Sequence, residues 1–286
     1  MLYLERLPHP TLAPFIHNYW YSCNPSAIHG HERVLPTGRP TLVISLARDY
    51  LTNANHPTDP LLPQSAALFL GIYSHHQLID TIDLTELIGI TFHPGGTIPF
   101  FPDTTHTFTN RETSLEDLWG NAAANLRNDL REAPTPTQKF NLLDFALRHR
   151  LTQSRTPHRT PTIDYALSKI QSSPATTTVN ELTRDMGISP RRLSHLFHEH
   201  VGVSPKTYSR IHRFQQAVQL MHRGADIHWI ELALTCGYYD QSHFANDFRA
   251  FSGISPTHYS ATQRRWANHI PLETKLPRST SGSAES

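Results

Sequence analysis

Apolar positions along this chain follow two different periods. The run at 41 to 46 (TLVISL) is rich in β-branched residues, as a buried strand should be, and 66 to 71, 77 to 82 and 87 to 92 follow as three more short strands separated by turn residues. No helical stretch lies between them to make crossovers, so the pattern predicts an antiparallel sandwich or barrel. The first 20 residues contain several prolines and lead into an aromatic cluster, Tyr19, Trp20 and Tyr21, and Leu35-Pro36-Thr37-Gly38 reads as a turn. Beyond Phe108 the period becomes helical. Ser114 precedes a charged first turn, Glu116 and Asp117, and Leu115, Leu118, Trp119, Ala122, Leu126 and Leu130 form one stripe. Pro134 and Pro136 break it before a second stripe, Phe140, Leu143, Leu147 and Leu151. Two adjoining amphipathic helices need a partner surface: their own β domain or a second subunit.

Further along, one pattern is written twice. Aligning Gly202 with Gly253 pairs Phe197 with Phe248, Ser204-Pro205 with Ser255-Pro256 and Tyr208 with Tyr259, an offset of 51; upstream, Glu181-Leu182 pairs with Glu231-Leu232 at an offset of 50. The one-residue difference falls in a turn. Each copy reads as helix, turn, helix. Val179, Leu182 and Met186 share a face, Gly187 supplies a left-handed stop, and Ser189-Pro190 supplies a cap and a first-turn proline. In the second copy Gly237 is the stop, Asp240 the cap, and Phe244, Phe248 and Phe251 the buried face. The outward faces carry Arg191, Ser194 and His195 in one copy and Gln241, Ser242, His243 and Asn246 in the other. Such side chains match base-edge donors and acceptors in a major groove. Matched turns in both copies favour that reading over solvated helix faces.

These residues resemble the AraC/XylS type of bacterial transcription regulator. The resemblance covers roughly residues 162 to 262 and rests on S-x-R-x-L-x-x-x-F, G-V-S-P-x-x-Y, A-L-T-C-G-Y-x-D-Q-S-H-F-x-x-x-F and G-I-S-P-x-x-Y in order and spacing. It implies two helix-turn-helix units joined by a long helix, here from about 205 to 223, with Tyr208, Ile211, Phe214, Ala217, Val218 and Met221 in its apolar register. It also makes Arg191, Ser194, His195, Gln241, Ser242, His243 and Asn246 the base-reading set. Where relatives often carry Arg this chain has His195 and Asn246, and where Lys is common it has His198, so an operator sequence cannot be borrowed from them. Leu-Pro-Thr-Gly at 35 to 38, Phe-His-Pro-Gly-Gly at 92 to 96 and Leu-Glu-Asp-Leu-Trp-Gly at 115 to 120 resemble, more diffusely, sensor regions attached to such regulators. They suggest a cupin-like β-barrel followed by helices.

Composition agrees with that division. The chain has 286 residues, room for two ordinary domains. Residues 161 to 268 carry 11 Lys+Arg against 8 Asp+Glu, and 1 to 160 carry 12 against 14, so the charge excess lies on the presumptive DNA-binding side. Neither a signal peptide nor an apolar run of membrane-spanning length is evident, which predicts a cytoplasmic protein without membrane contact. Cys23 and Cys236 lie in different expected domains and cannot form a disulfide framework or a four-ligand zinc site on their own, and Cys236 reads as a small core residue. Residues 152 to 161 (TQSRTPHRTP) read as a linker, and the polar end from 269 to 286 as a disordered tail.

Of the 20 histidines, His29 and His31 with Glu32 and one of His75, His93 or His106 loosely match a metal-binding cupin set. The spacing after His31 is wrong for it, and the reading preferred is hydrogen-bonded or surface histidines. No GxSxG, P-loop, GxGxxG or HExxH occurs. An effector pocket inside the barrel would draw on Trp20, Tyr21, Arg39, Tyr73 and His93. The fold expected is therefore α+β: a sensor and dimerisation domain over 1 to 151 (a cupin-like antiparallel barrel with accessory helices), then an all-α double helix-turn-helix domain over 162 to 268. The function expected is sequence-specific transcription regulation, with no catalytic residue, metal or cofactor. The partners are a bipartite site on double-stranded DNA, a small-molecule effector, a second copy of the chain and RNA polymerase. A metal-dependent cupin-type enzyme with a DNA-binding tail, and a regulator whose N-terminal domain only dimerises, are the alternatives.

Overall fold

A computed structural model describes residues 1–54, 59–101, 105–154, 160–224 and 228–272. Its strands, in chain order, are β1 (Leu2–Arg6), β2 (Ile16–Cys23), β3 (His31–Val34), β4 (Thr41–Ser45), β5 (Thr52–Ala54) and β6 (Leu62–Pro63), followed by β7 (Ala67–Leu70), β8 (Gln77–Asp80), β9 (Glu86–Phe92), β10 (Glu112–Ser114) and β11 (His269–Pro271). They form two antiparallel sheets, one in the order β1-β2-β9-β4-β7-β10 and the other β11-β3-β8-β5-β6. Among the described residues the two sheets are not closed on each other into the expected barrel.

Period-2 alternation decides what each face of the larger sheet meets. Tyr19, Tyr21, Leu42, Ile44, Phe69, Ile88 and Ile90 point to one side and share a core with the helices α1 (Leu115–Trp119), α2 (Asn121–Glu132) and α3 (Pro136–Gln153). Trp20, Val43, Leu68, Leu70 and Leu87 point to the other, into a smaller apolar cluster with Leu51 and Leu84. Gly89 is required there, because a Cβ would stand 2.1 Å from the Trp20 ring. The first apolar stripe is divided by Gly120, at φ +57°, so α1 and α2 meet at a bend rather than forming one rod.

Both helical stripes are buried within the chain along most of their length, although Ala122 is exposed and Ala123 takes the inward position instead. Leu115, Leu130, Leu143 and Leu147 are each 0% exposed, in one cluster with the sheet. Of the two partner surfaces open from sequence, the helices thus use their own β domain, and Leu143 and Leu147 are not available to a second subunit. Replacing Leu147 by Ala is expected to cost about 2–5 kcal/mol of stability, read from the urea midpoint, with no change in sedimentation behaviour.

The remaining helices are α4 (Pro161–Ser172), α5 (Val179–Met186), α6 (Pro190–His200), α7 (Pro205–His222), α8 (Trp229–Thr235), α9 (Gln241–Ser252) and α10 (Pro256–Ala261). They surround a second core in which Tyr208, Ile211, Phe214, Ala217, Val218 and Met221 of α7 are all buried, as the register predicted. Cys236 is fully buried there, and desolvation pushes its thiol up to about 11. Residues 155–159 of the expected linker and 273–286 of the expected tail lie outside the described residues. The start of that tail is ordered, however: His269–Pro271 pairs with β3, and His269 Nδ1 lies 2.9 Å from Glu32 Oε2. A three-residue edge strand ending in proline carries too little pattern to be read in advance.

Leu35 and Ile72 from the sheet region, and Ile270 from β11, are built into the core of the helical region. Along the same seam, Gln215 Nε2 on α7 donates to Pro36 O (2.8 Å) and Asn268 Oδ1 (2.9 Å), and Thr109 Oγ1 donates to Gly202 O at 2.6 Å. A Cβ on Gly38 would come 3.3 Å from Ile211 Cγ2. His212, beside it, is pushed down to about 4 by burial and by the Arg39 cation. It is therefore neutral in the folded chain, whereas the unfolded chain takes up that proton below about 6.5. Stability from this group is complete above the unfolded value and is lost as pH falls toward 4. Urea melts at pH 7, 5.5 and 4.5 are expected to show that loss, and to show a shallower one in His212→Asn.

Candidate nucleic-acid interface

Local sequence chemistry sets both recognition helices. The side chain of Thr178 and that of Glu181 close a reciprocal capping box on α5, and Gly187 ends the helix in the left-handed region at φ +61°. Two residues later Ser189 caps α6, its Oγ accepting from Arg192 N at 3.2 Å. Asp240 does the same for α9, accepting from His243 N at 2.7 Å, after a stop at Gly237 with φ +75°. Leu193, Leu196 and Phe197 turn α6 inward, and Phe244, Phe248 and Phe251 turn α9 inward.

What remains outside is the predicted set. Arg191 and His195 are exposed and Ser194 is half-buried on α6; Gln241, Ser242, His243 and Asn246 are all exposed on α9. Two of them have fixed surroundings. His195 Nε2 stands 3.7 Å from Glu199 Oε2 one turn along. His243 Nδ1 accepts from Tyr239 N at 3.4 Å, and its ring meets Tyr238 edge-on. Tyr239, in the turn before α9, is 86% exposed and was not singled out from sequence; an aromatic immediately ahead of a capping Asp was the available signal.

Helix α7 holds the second unit by two arginines. Arg210 Nε lies 3.1 Å from Oδ1 and 3.3 Å from Oδ2 of Asp247, a carboxylate on the inward side of α9, and Asp247 is 6% exposed. Arg213 Nη1 donates to Gly237 O at 2.9 Å, fixing the turn between α8 and α9. The geometry is that of a rigid mount with a polar front.

The five effector-pocket candidates do not come together. Adjacent strand residues face opposite ways, so Trp20 lies in the small cluster with Leu51 and Leu84 while Tyr21 points to the helices and donates to Glu86 Oε1 at 2.9 Å. Tyr73 is buried, its hydroxyl held protonated by desolvation and by Glu112. Of the five, Arg39 Nη1 and His93 Nδ1 lie 3.4 Å apart, beyond the end of the β4–β9 pairing. The metal set is dispersed too: His29 Nδ1 pairs with Asp80 (2.8 Å) and Glu32 with His269, while His31 and His106 are exposed. Among the described residues no three His, Cys, Asp or Glu side chains converge to hold a metal, and no helix is long and apolar enough to cross a membrane.

Residues 182–262 match a family described as a helix-turn-helix domain, and residues 4–114 match a domain of unknown function, DUF6597. No curated protein matches the chain. Among solved structures, ToxT from Vibrio cholerae with an unsaturated fatty acid bound is 11% identical, covering 85% of this chain and 94% of that one, at a TM-score of 0.44. A probable AraC family transcriptional regulator from Rhodopseudomonas palustris is 29% identical over 35% of this chain and 94% of its own, at 0.32. The C-terminal domain of AraT, a response regulator from Geobacillus stearothermophilus, is 26% identical over 36% of this chain and 87% of its own, at 0.33. With its doubled and capped helix pairs in that matched segment, the chain carries an AraC-type helix-turn-helix domain, the DNA-binding module of that family of transcription regulators.

Proposed function

We propose that this regulator reads a bipartite DNA site with α6 and α9 and that the sheet-rich region, residues 1 to 151, responds to a small-molecule effector. The observation carrying the DNA reading is that two helices with matched caps present polar fronts while their backs are locked to one helix, α7. Rigidly joined recognition helices reach the same side of a duplex in major grooves about one helical turn, roughly 34 Å, apart. Gln241 and Asn246 are suited to adenine, and Arg191 to guanine. Exposed Arg192 and Arg249 flank the two fronts and supply phosphate contacts. Residues 152 to 161 act as linker in this scheme and 162 to 268 as the DNA-binding unit.

Self-association belongs to the proposal as well, but through an outward surface. Phe145 on α3 is 73% exposed beside the buried Leu143 and Leu147, and is the first position to test. Contact with RNA polymerase follows if the protein activates transcription from its bound site.

Binding-site selection tests the DNA reading directly. Gln241→Ala and Asn246→Ala are expected to relax preference in one half-site, and Arg191→Ala in the other, each by about 1–3 kcal/mol at the position read. If all three variants keep the parental preference at lower affinity, these side chains only position the backbone and the assignment is wrong. Affinity of the full chain is expected to fall steeply with salt. Asp247→Ala, which leaves Arg210 without its carboxylate, is expected to destabilise the protein by about 1–3 kcal/mol and to blur the α9 half-site without touching its polar front.

A further inference from the structure

The two copies of the repeat diverge after their shared Ser-Pro-x-x-Tyr. In the first, Pro205 opens the 18-residue α7; in the second, Pro256 opens only the 6 residues of α10, and the chain then turns back. Arg264 makes that stop, its Nη1 donating to Thr262 O at 2.8 Å and to Tyr259 O, while its Cζ lies 3.5 Å from the centre of the Tyr259 ring. Carbonyls left open at the end of a short helix are thereby satisfied. From Thr262 to Leu272 the chain runs to the sheet region and is fastened at both ends. Tyr259 OH donates to Ala267 O at 2.8 Å, whereas the equivalent Tyr208 OH accepts from Gln171 Nε2. Asn268 Oδ1 accepts from Gln215 Nε2 of α7, Asn268 O accepts from Leu35 N at 2.8 Å, and Leu272 N donates to His31 O at 2.8 Å. Between these, Ile270 pairs with Arg33 of β3 and is 0% exposed in the core that holds Leu35 and Ile72.

The fastening is unequal between the two units. The first meets the chain ahead of β10, in the larger sheet, where Thr109 Oγ1 donates to Gly202 O. The second meets the smaller sheet twice, at β3 through this segment and at His76, just ahead of β8, through Gly253. Tyr259 carries the contact inward: it is 0% exposed, and its ring stands 5.4 Å from that of Phe248 on the buried face of α9. We infer that residues 262 to 272 are a strap through which the smaller sheet positions α9 for the second half-site, with Ile270 and Asn268 as positioning residues that act without touching DNA. Ile270 anchors the strap by burial, and Asn268 registers it, with its carbonyl on Leu35 and its side chain on α7. A segment held by a few backbone hydrogen bonds and one fully buried side chain opens more readily than a core. Its release leaves the first unit against Thr109 and frees α10, together with the α9 it packs on, to shift against the duplex. This rests on the bipartite reading proposed above and names what positions its second half.

The test uses the full-length protein and the two half-sites assigned by Gln241→Ala, Asn246→Ala and Arg191→Ala. Discrimination at each half is the ratio of affinities for the intact site and for a site scrambled in that half. Hydrogen exchange of the Leu35 amide, which donates to Asn268 O, reports whether the strap is docked. Ile270→Ala is expected to speed Leu35 exchange and to cut discrimination at the α9 half by at least about threefold, with the α6 half kept within about twofold. Ile270→Val, which keeps a branched apolar side chain, is expected to restore both. Asn268→Ala is the milder second variant and is expected to show the same one-sided loss if Ile270→Ala does not fold. Equal loss in both halves overturns the inference, because a merely destabilised protein behaves that way. Faster Leu35 exchange with parental discrimination overturns it too, as does parental exchange in both Ala variants. A parent without any half-site preference removes the bipartite reading and the strap's role with it; a parent with preference in both halves that the variants leave intact removes the strap alone.

Discussion

Helix α7 has to satisfy two neighbourhoods at once, and most of the molecule is arranged around that demand. Tyr208, Ile211, Phe214, Ala217, Val218 and Met221 occupy the core that α6 and α9 also enter. Arg210 and Arg213 extend from it to Asp247 and Gly237 O, and Gln215 reaches back to Pro36 O. A close-packed core transmits displacement rather than absorbing it. Any shift of α7 relative to the sheet region is therefore also a shift of the mounts on which the polar fronts of α6 and α9 stand.

The repeat explains why the seam is two-sided. Gly202 and Gly253 are equivalent positions in the two copies, and both adopt positive φ, at +97° and +74°. Each ends its unit against the sheet region. Gly202 sits on Thr105 and Thr109, where an added Cβ would lie 2.9 Å from Thr109 Oγ1; Gly253 sits on His76, at 2.5 Å from its Cε1. A turn motif that serves helix geometry in each copy has thus also become a close-approach surface. The exposed ends of α6 and α9, carrying Arg191 and Gln241, lie at the opposite, N-terminal ends of the same helices.

Legibility followed the strength of local chemistry. Caps, stops and buried faces of α5, α6, α7 and α9 were readable because Ser189, Asp240, Gly187, Gly237 and the aromatic rows each have one strong local use. The strands β4, β7 and β9 were readable as β-branched or apolar runs, while β1, β3, β5 and β11 are short edge or near-edge strands whose pairing is set by distant residues. Trp20 and Tyr21 were grouped as pocket residues, although neighbours on a strand must part to opposite faces. Arg39 meets His93 because the antiparallel pairing of β4 with β9 continues past Thr41 and Thr91, whereas the approach of His212 to that pair has no sequence signature, since it needs α7 to dock.

That docking gives a physical meaning to motifs that looked diffuse. Leu35 to Gly38 supplies a core residue, a carbonyl for Gln215 and a backbone with no Cβ against Ile211. His93 opens the turn that continues to Gly95 and Gly96, where a Cβ on Gly96 would stand 2.1 Å from Phe15 O, so this turn also depends on close backbone approach. Residues held for such contacts constrain a sheet region toward the helices it must meet rather than toward a ligand buried between its own sheets. At this junction burial and the Arg39 cation hold His212 neutral, so a change of charge here acts on the helix that carries the polar fronts of α6 and α9.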